Sequence, residues 1–345
     1  MMIPYRIQQA LRRLGIGLMV LLVLTCVVLL CWFLWLQRYV VYTEDGAKLD
    51  FNISLQFPDG QVAQKPEPDG DVNLIYGDEL EATGPAVKDL ERFSGYYVTV
   101  TAMREDFDAV AEQIGILPEG AAVMFDMKSI RGEFCYNTSL GHVADDIPLE
   151  RLADLMAQLK EKGCYLMAKV PAFRDYHFFM DDERTRVPYG LARDGGNGAL
   201  WMDKQSCYWF NPASEGAMTY LLQIVSEIRA LGFHEIVFDD FRFPDTDMYT
   251  FLSDELQAIN NAATTLVNTC ATDTFAVSFV RRQADLQLPE GRTRLYIENA
   301  AVSELAAIAE RTGFADPTVQ LGFLVETNDT RYDAYCVLRP IDMAR

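Results

Sequence analysis

The chain has 345 residues, 30 of them basic and 50 acidic, with hydrophobic residues at 50%. Four basic residues and no acid precede residue 39, so the remainder carries 26 basic against 50 acidic residues, a net charge of −24. Such an excess excludes nucleic acid and anionic lipid as expected partners, because both require clustered Lys and Arg, and it favours a neutral or cationic ligand.

The first element is an uncharged run from Leu14 to Gln37, almost wholly Leu, Val, Cys, Trp and Phe after Met19. As a helix it spans about 36 Å, enough for a hydrocarbon core of about 30 Å. It exceeds the apolar region of a cleavable signal peptide and leads into Trp35-Leu36-Gln37-Arg38 instead of a small-x-small site. It reads as an uncleaved transmembrane signal anchor. Arg6, Arg12 and Arg13 before it place residues 1–13 in the cytoplasm and everything after it outside, so the expected location is the cell membrane, single-pass, with an extracellular carboxyl-terminal domain.

Residues 38–94 read as a stalk or small appendage, with a Pro- and Gly-rich polar stretch from Gln64 to Asp71. Five cysteines follow the span: Cys135, Cys164, Cys207, Cys270 and Cys336. Their odd number and the lack of a CxxC pair predict buried free thiols, not a disulfide scaffold.

From residue 95 to 345 apolar strand-like runs alternate with amphipathic helical patterns. The runs are Tyr96–Val100, Ala121–Met127, Tyr165–Phe173, Ile236–Phe243, Phe275–Val280, Leu295–Glu298, Val319–Glu326 and Tyr335–Leu338. The clearest helix is expected to begin at an Asn211-Pro212 cap, to bury Met218, Leu221, Leu222, Val225 and Ile228, and to stop at Gly232. Others run from Pro148 to Gly163, from Ser253 to about Cys270 and from Ser303 to Gly313. Eight strands alternating with helices predict an α/β fold, a (β/α)8 TIM-like barrel, partly irregular in its last strands. Links from helix to strand are short, whereas Ser129–Ile147 and Arg174–Asn211, both strand-to-helix links, are long. Long loops on one side mark the functional rim at the carboxyl ends of the strands.

Ionisable groups gather at those ends: Asp126 with Lys128, Lys169, Asp239 with Asp240 and Arg242, then Glu298 and Glu326. Side chains alternate across a strand, so only one of Asp239 and Asp240 can face the barrel axis. The loop from 174 to 211 is aromatic, with Trp201 and Trp209 as candidates either for stacking on a sugar ring or for the loop's own core. The three histidines lack metal-ligand spacing, and neither a nucleophile elbow nor a phosphate loop is present, so neither metal nor cofactor is expected.

Several segments resemble one family. They are Gly95-Tyr96-Tyr97-Val98-Thr99, Met124-Phe125-Asp126-Met127-Lys128, Asp154 to Lys169, Ala199 to Asp203, Trp209-Phe210-Asn211-Pro212 and Gly232 to Pro244. Together they resemble, over roughly residues 95–244, the putative glycosyl hydrolase domain family, a TIM-barrel group often found on exported bacterial proteins. The resemblance implies a sugar-directed barrel and matches Asp239, Asp126 and Lys128 to family positions. Lys169 stands where the family usually has Arg, Asp240 replaces a Tyr, and Ser129 replaces an acid.

Glycoside hydrolysis usually needs two carboxyl groups flanking the scissile bond. The expected assignment is Asp239 as nucleophile or base and Glu298 or Glu326 as acid. Asp126, Lys128, Lys169, Asp240, Arg242, Trp201 and Trp209 would contact a carbohydrate polymer. The alternative is a barrel without catalysis that binds glycan or an envelope partner, and a metal-dependent hydrolase stands behind both.

Overall fold

The structure, a computed structural model, describes residues 40–43, 46–49, 90–181, 187–195, 199–281 and 286–344. The expected membrane span at 14–37 and most of the stalk lie outside the described residues. Among the described residues no helix is long and apolar enough to cross a membrane. The chain divides into two units, Met1–Glu79 and Leu80–Arg345. In the first, Val40–Thr43 pairs antiparallel with Gly46–Leu49.

The second unit is a closed barrel of eight parallel strands: β1 (Ser94–Val98), β2 (Ala122–Asp126), β3 (Tyr165–Pro171), β4 (Glu235–Asp239), β5 (Ala276–Arg281), β6 (Leu295–Glu298), β7 (Leu321–Leu324) and β8 (Cys336–Pro340). Each strand pairs with the next in sequence, and β8 closes on β1 with Val337 opposite Ser94. All eight expected strands are present, with shifted ends. Strand β1 stops at Val98 because Thr99 caps α1 (Val100–Glu105), its hydroxyl accepting from the Ala102 N–H. Strand β4 stops at Asp239, well before Pro244, because Asp240 turns to a φ of 46° and leaves the extended region. Strand β7 starts at Leu321, since Asp316 caps a short turn of helix at Pro317–Gln320.

The outer helices include α2 (Phe107–Gly115), α3 (Leu149–Glu161), α4 (Glu215–Ala230), α5 (Glu255–Cys270) and α6 (Leu305–Thr312). The expected cap of α4 is corrected. Asn211 Oδ1 accepts from the Ala213 N–H in a turn, and Ser214 is the N-cap residue, so the helix starts at Glu215. No helix occupies the described part of the link from β5 to β6, and the chain after β8 makes only a single 3-10 turn, Ile341–Met343. This is the irregularity expected in the last strands.

Period-two alternation sorts the strand residues into two cores. Outward residues such as Val123, Phe125, Leu166, Ile236, Phe238, Val277, Phe279 and Val337 pack against the helices in one large cluster. Inward residues Met124, Met167, Val237, Val280, Tyr296, Leu324 and Leu338 fill the barrel. Gly322 belongs to this interior: a Cβ there would collide with the Tyr296 ring, so glycine leaves the space that the tyrosine fills. The five expected thiols are all free and buried.

Candidate active site

The same alternation decides which acid of the Asp239-Asp240 pair faces inward. Strand β4 points Glu235, Val237 and Asp239 to one side, and Val237 lies in the barrel interior. Asp239 therefore stands above it at the carboxyl-end mouth. On β2 the inward set ends at Asp126, and on β3 it includes Lys169, followed by Pro171 at the strand's end. Lys169 Nζ lies 3.2 Å from Asp126 Oδ1 and 3.5 Å from Asp239 Oδ2, so one cation on β3 bridges the carboxylates of the strands on either side. The second oxygen of each acid is also engaged. Asp126 Oδ2 accepts from the Val100 N–H at 3.1 Å, and Asp239 Oδ1 accepts from the Asp240 N–H at 2.6 Å.

Electrostatics extend this group around the mouth. Burial works to lower the Lys169 ammonium, but the fields of Asp126, Asp239 and Glu298 outweigh it and hold the ammonium above its ordinary value. Burial pushes the Asp126 carboxyl above the ordinary aspartate value despite Lys169 and the Val100 N–H, and Asp239 adds to the rise. Burial, followed by the field of Glu326, pushes the Tyr97 phenol up to about 12, with Asp342 and Glu298 adding and Lys169 opposing. Strands β1, β2, β3, β4 and β6, together with the residues just after β7 and β8, thus place ionisable groups within one another's fields. Glu298 is half-buried and Glu326 exposed.

A cavity of about 430 Å³ opens beside this group. Asp126, Lys169 and Asp239 form one wall, and Thr101 and Arg104 of α1 another, with Ser129, Arg131 and Glu133 of the β2 loop and Gln205 of the β3 loop completing it. Ser129 donates from its hydroxyl to Glu133 Oε2 at 2.8 Å. The loop thereby brings a carboxylate to the cavity four residues later. Burial would raise Glu133, but hydrogen bonds from Arg104 and Ser129 prevail and hold it below the ordinary glutamate value.

The other expected residues take different places. Lys128 lies along the cavity, yet its ammonium is buried 2.6 Å from Asp175 Oδ2, which ties the β2 loop to the β3 loop. Gly132, at a φ of 92°, lets the chain pass over that pair, since a Cβ there would overlap the Asp175 carboxylate. Asp240 faces away from Lys169, with Arg174 at 3.4 Å and Arg242 at 3.6 Å. Burial and the neighbouring Asp239 raise its carboxyl against those two guanidinium groups. Trp201 and Trp209 are 8% and 3% exposed and belong to the loop's core. The Trp209 indole N–H donates to Asp203, and neither ring lines the cavity. Arg104, Arg131, Glu133, Gln205 and Tyr97 were not singled out from sequence. Only the lengths of the loops at Ser129–Ile147 and Arg174–Asn211 pointed toward three of them, Arg131, Glu133 and Gln205.

Fold and site together define a (β/α)8 barrel whose carboxyl-end mouth is lined by carboxylates around a single lysine. A family profile described as "Putative glycosyl hydrolase domain" matches residues 95–278, and the chain belongs to that family. No curated protein matches the chain in sequence. Similar solved structures include the galactosidase domain of alpha-galactosidase-sucrose kinase AgaSK, with 9% identity, a TM-score of 0.50, and 73% of this chain and 38% of that one covered. Another is TtGalA, an alpha-galactosidase from Thermus thermophilus in complex with stachyose, with 9% identity, a TM-score of 0.49, and 75% of this chain and 63% of that one covered. A hypothetical protein from Ruminiclostridium thermocellum has 16% identity and a TM-score of 0.42, with 53% of this chain and 96% of that one covered. At these identities the likeness carries the barrel fold and no activity. The chain spans 38% and 63% of the two galactosidase chains, less than two thirds of each.

Proposed function

We propose that this chain is a membrane-anchored, extracytoplasmic glycoside hydrolase that cleaves a polysaccharide with two carboxyl groups. Asp239 is the nucleophile or base. Glu298 is the acid in preference to Glu326, because it is less exposed and because its field, with those of Asp126 and Asp239, acts on Lys169. In this reading the acid protonates the leaving glycosidic oxygen while Asp239 attacks the anomeric carbon or activates a water. Lys169 holds its positive charge 3.5 Å from Asp239 Oδ2, and Asp126 accepts from a sugar hydroxyl.

The observation that supports the reading most is the inward placement of Asp239 at the mouth of a closed barrel, 3.5 Å from Lys169. An Asp239→Asn variant tests it. The expected result is loss of reducing-end release from polysaccharide with an unchanged circular dichroism spectrum; unchanged release rejects the assignment.

One observation favours the second reading, a barrel that binds glycan without cleaving it. Both oxygens of Asp239 are already engaged, by Lys169 and by the Asp240 N–H. Glycan binding by the wild type with no product on chromatography would establish that reading. The anchor is tested separately. Protease added to sealed cells is expected to remove everything after residue 38, and full protection would reverse the orientation.

A further inference from the structure

Four cations line the cavity: Arg104, Lys128, Arg131 and Lys169. Three of them are neutralised. Arg104 pairs with Glu133 and Asp146, each at 2.8 Å. Lys128 pairs with Asp175, and Lys169 with Asp126 and Asp239. Arg131 has no carboxylate partner among the described residues. The residue is exposed, but its backbone is held in place. Its N–H bonds to Ser129 Oγ at 3.2 Å, and its carbonyl accepts from the N–H groups of Tyr176 and His177 at 3.0 and 2.9 Å. Its guanidinium lies over the Tyr176 ring, 4.7 Å from the centroid.

Stacking uses the face of a guanidinium and leaves its N–H edge free. An edge left free in this way matches a carboxylate, which it binds with two parallel hydrogen bonds. We propose that Arg131 is a carboxylate-binding subsite of this cavity, so that the glycan it takes carries an acidic sugar beside the bond at Asp239. The inference rests on the glycan-directed reading above and supplies its substrate class. The net charge of −24, which by itself favours a neutral or cationic ligand, does not oppose this locally. Charges farther away than about 8 Å are largely screened at physiological salt, and contact chemistry decides inside a cavity.

The test is calorimetric titration of the full-length chain in detergent. Two acidic probes are used, an oligogalacturonide for a uronate carboxylate and a muramic-acid-containing peptidoglycan fragment for a lactyl carboxylate. Each is compared with its carboxyl-reduced counterpart. At least one acidic probe is expected to bind more tightly than its reduced form. Arg131→Ala should weaken that probe by about 10- to 100-fold and leave the reduced form within about twofold, while Arg131→Lys should recover only part of the loss. Equal binding of acidic and reduced forms, an equal loss on both in Arg131→Ala, or no binding of either acidic probe overturns the subsite. Binding and turnover separate the two proposals. Carboxyl-dependent binding without hydrolysis supports the subsite and removes the hydrolase reading. Hydrolysis lost in Asp239→Asn with no carboxyl dependence does the reverse.

Discussion

The two ends of the barrel use the same chemistry, basic side chains against carboxylates, to opposite effect. At the amino-terminal end Arg294 and Glu235 meet at 2.5 Å with side-chain exposures of 2% and 0%. Every arm of that guanidinium has an acceptor: Nε donates to Val319 O, Nη1 to Glu235 and the Tyr165 hydroxyl, and Nη2 to Glu91 O. Each oxygen of Glu235 also accepts from a tyrosine hydroxyl, Tyr296 on one and Tyr165 on the other, both at 2.9 Å. At the carboxyl end Lys169, Asp126 and Asp239 keep exposures of 15%, 17% and 23%, and the fields of three carboxylates fall on one ammonium. A saturated, dry pair closes the barrel bottom, whereas an unsaturated and partly wet group leaves charge available to a ligand. This is the division expected of such barrels, with stability at one face and chemistry at the other.

Substitutions at the two ends should therefore separate activity from stability. The largest effect is expected from Asp239→Asn, a fall in hydrolysis of about a thousandfold or more with the melting temperature retained, since removing a reacting group costs far more than removing a supporting contact. Next comes Glu235→Gln at the bottom, which strands the Arg294 charge in the interior. It should cost about 3–5 kcal/mol in denaturant unfolding while the activity per folded molecule stays near that of the wild type. A replacement of both partners, Glu235→Leu with Arg294→Met, should recover much of that stability. If Glu235→Gln instead abolished turnover in folded protein, the division between the ends would fail.

Lys169→Met gives a smaller, more diagnostic change. The ammonium lowers the carboxyl of Asp126, so its loss should raise that acid further and move the acid limb of the pH–rate profile to higher pH. An unmoved limb would show that Lys169 does not tune the site. The smallest effect belongs to Tyr97. Its folded-state value of about 12 lies above the unfolded value of about 10, so its contribution to stability is complete below pH 10 and is lost as pH rises toward 12. Tyr97→Phe should flatten stability across that window, as measured by unfolding at a series of alkaline pH values.

Much of the barrel was legible in order. The strands are runs of apolar residues buried on both faces, and most are bounded by a helix with its own amphipathic period, so local pattern and global fold agree. The ends were less legible because they depend on single backbone turns. Asp240 at a φ of 46° and Thr99 as a cap shorten two strands without changing their composition. In the site, Asp126 and Asp239 were visible because each ends an apolar strand with a charge, and Lys169 because it is the one charge within its own apolar strand. Arg131 and Glu133 were not, because they sit in a loop whose path is set by Gly132, Ser129 and the buried Lys128–Asp175 pair.

Sequence by itself determined the eight-strand order, the side of the barrel that carries the long loops, and the acids and lysine near the carboxyl ends of the strands. These follow from hydrophobic period and chain connectivity, which are local properties. Tertiary structure fixed Asp239, the acid expected from sequence, on the inward face, and alone decided that Trp201 and Trp209 pack within their loop and that Arg131 reaches the cavity with no carboxylate partner among the described residues. Those outcomes depend on strand register, closure of the ring and the meeting of two distant loops, where residues far apart in the chain must satisfy one another's charges and volumes.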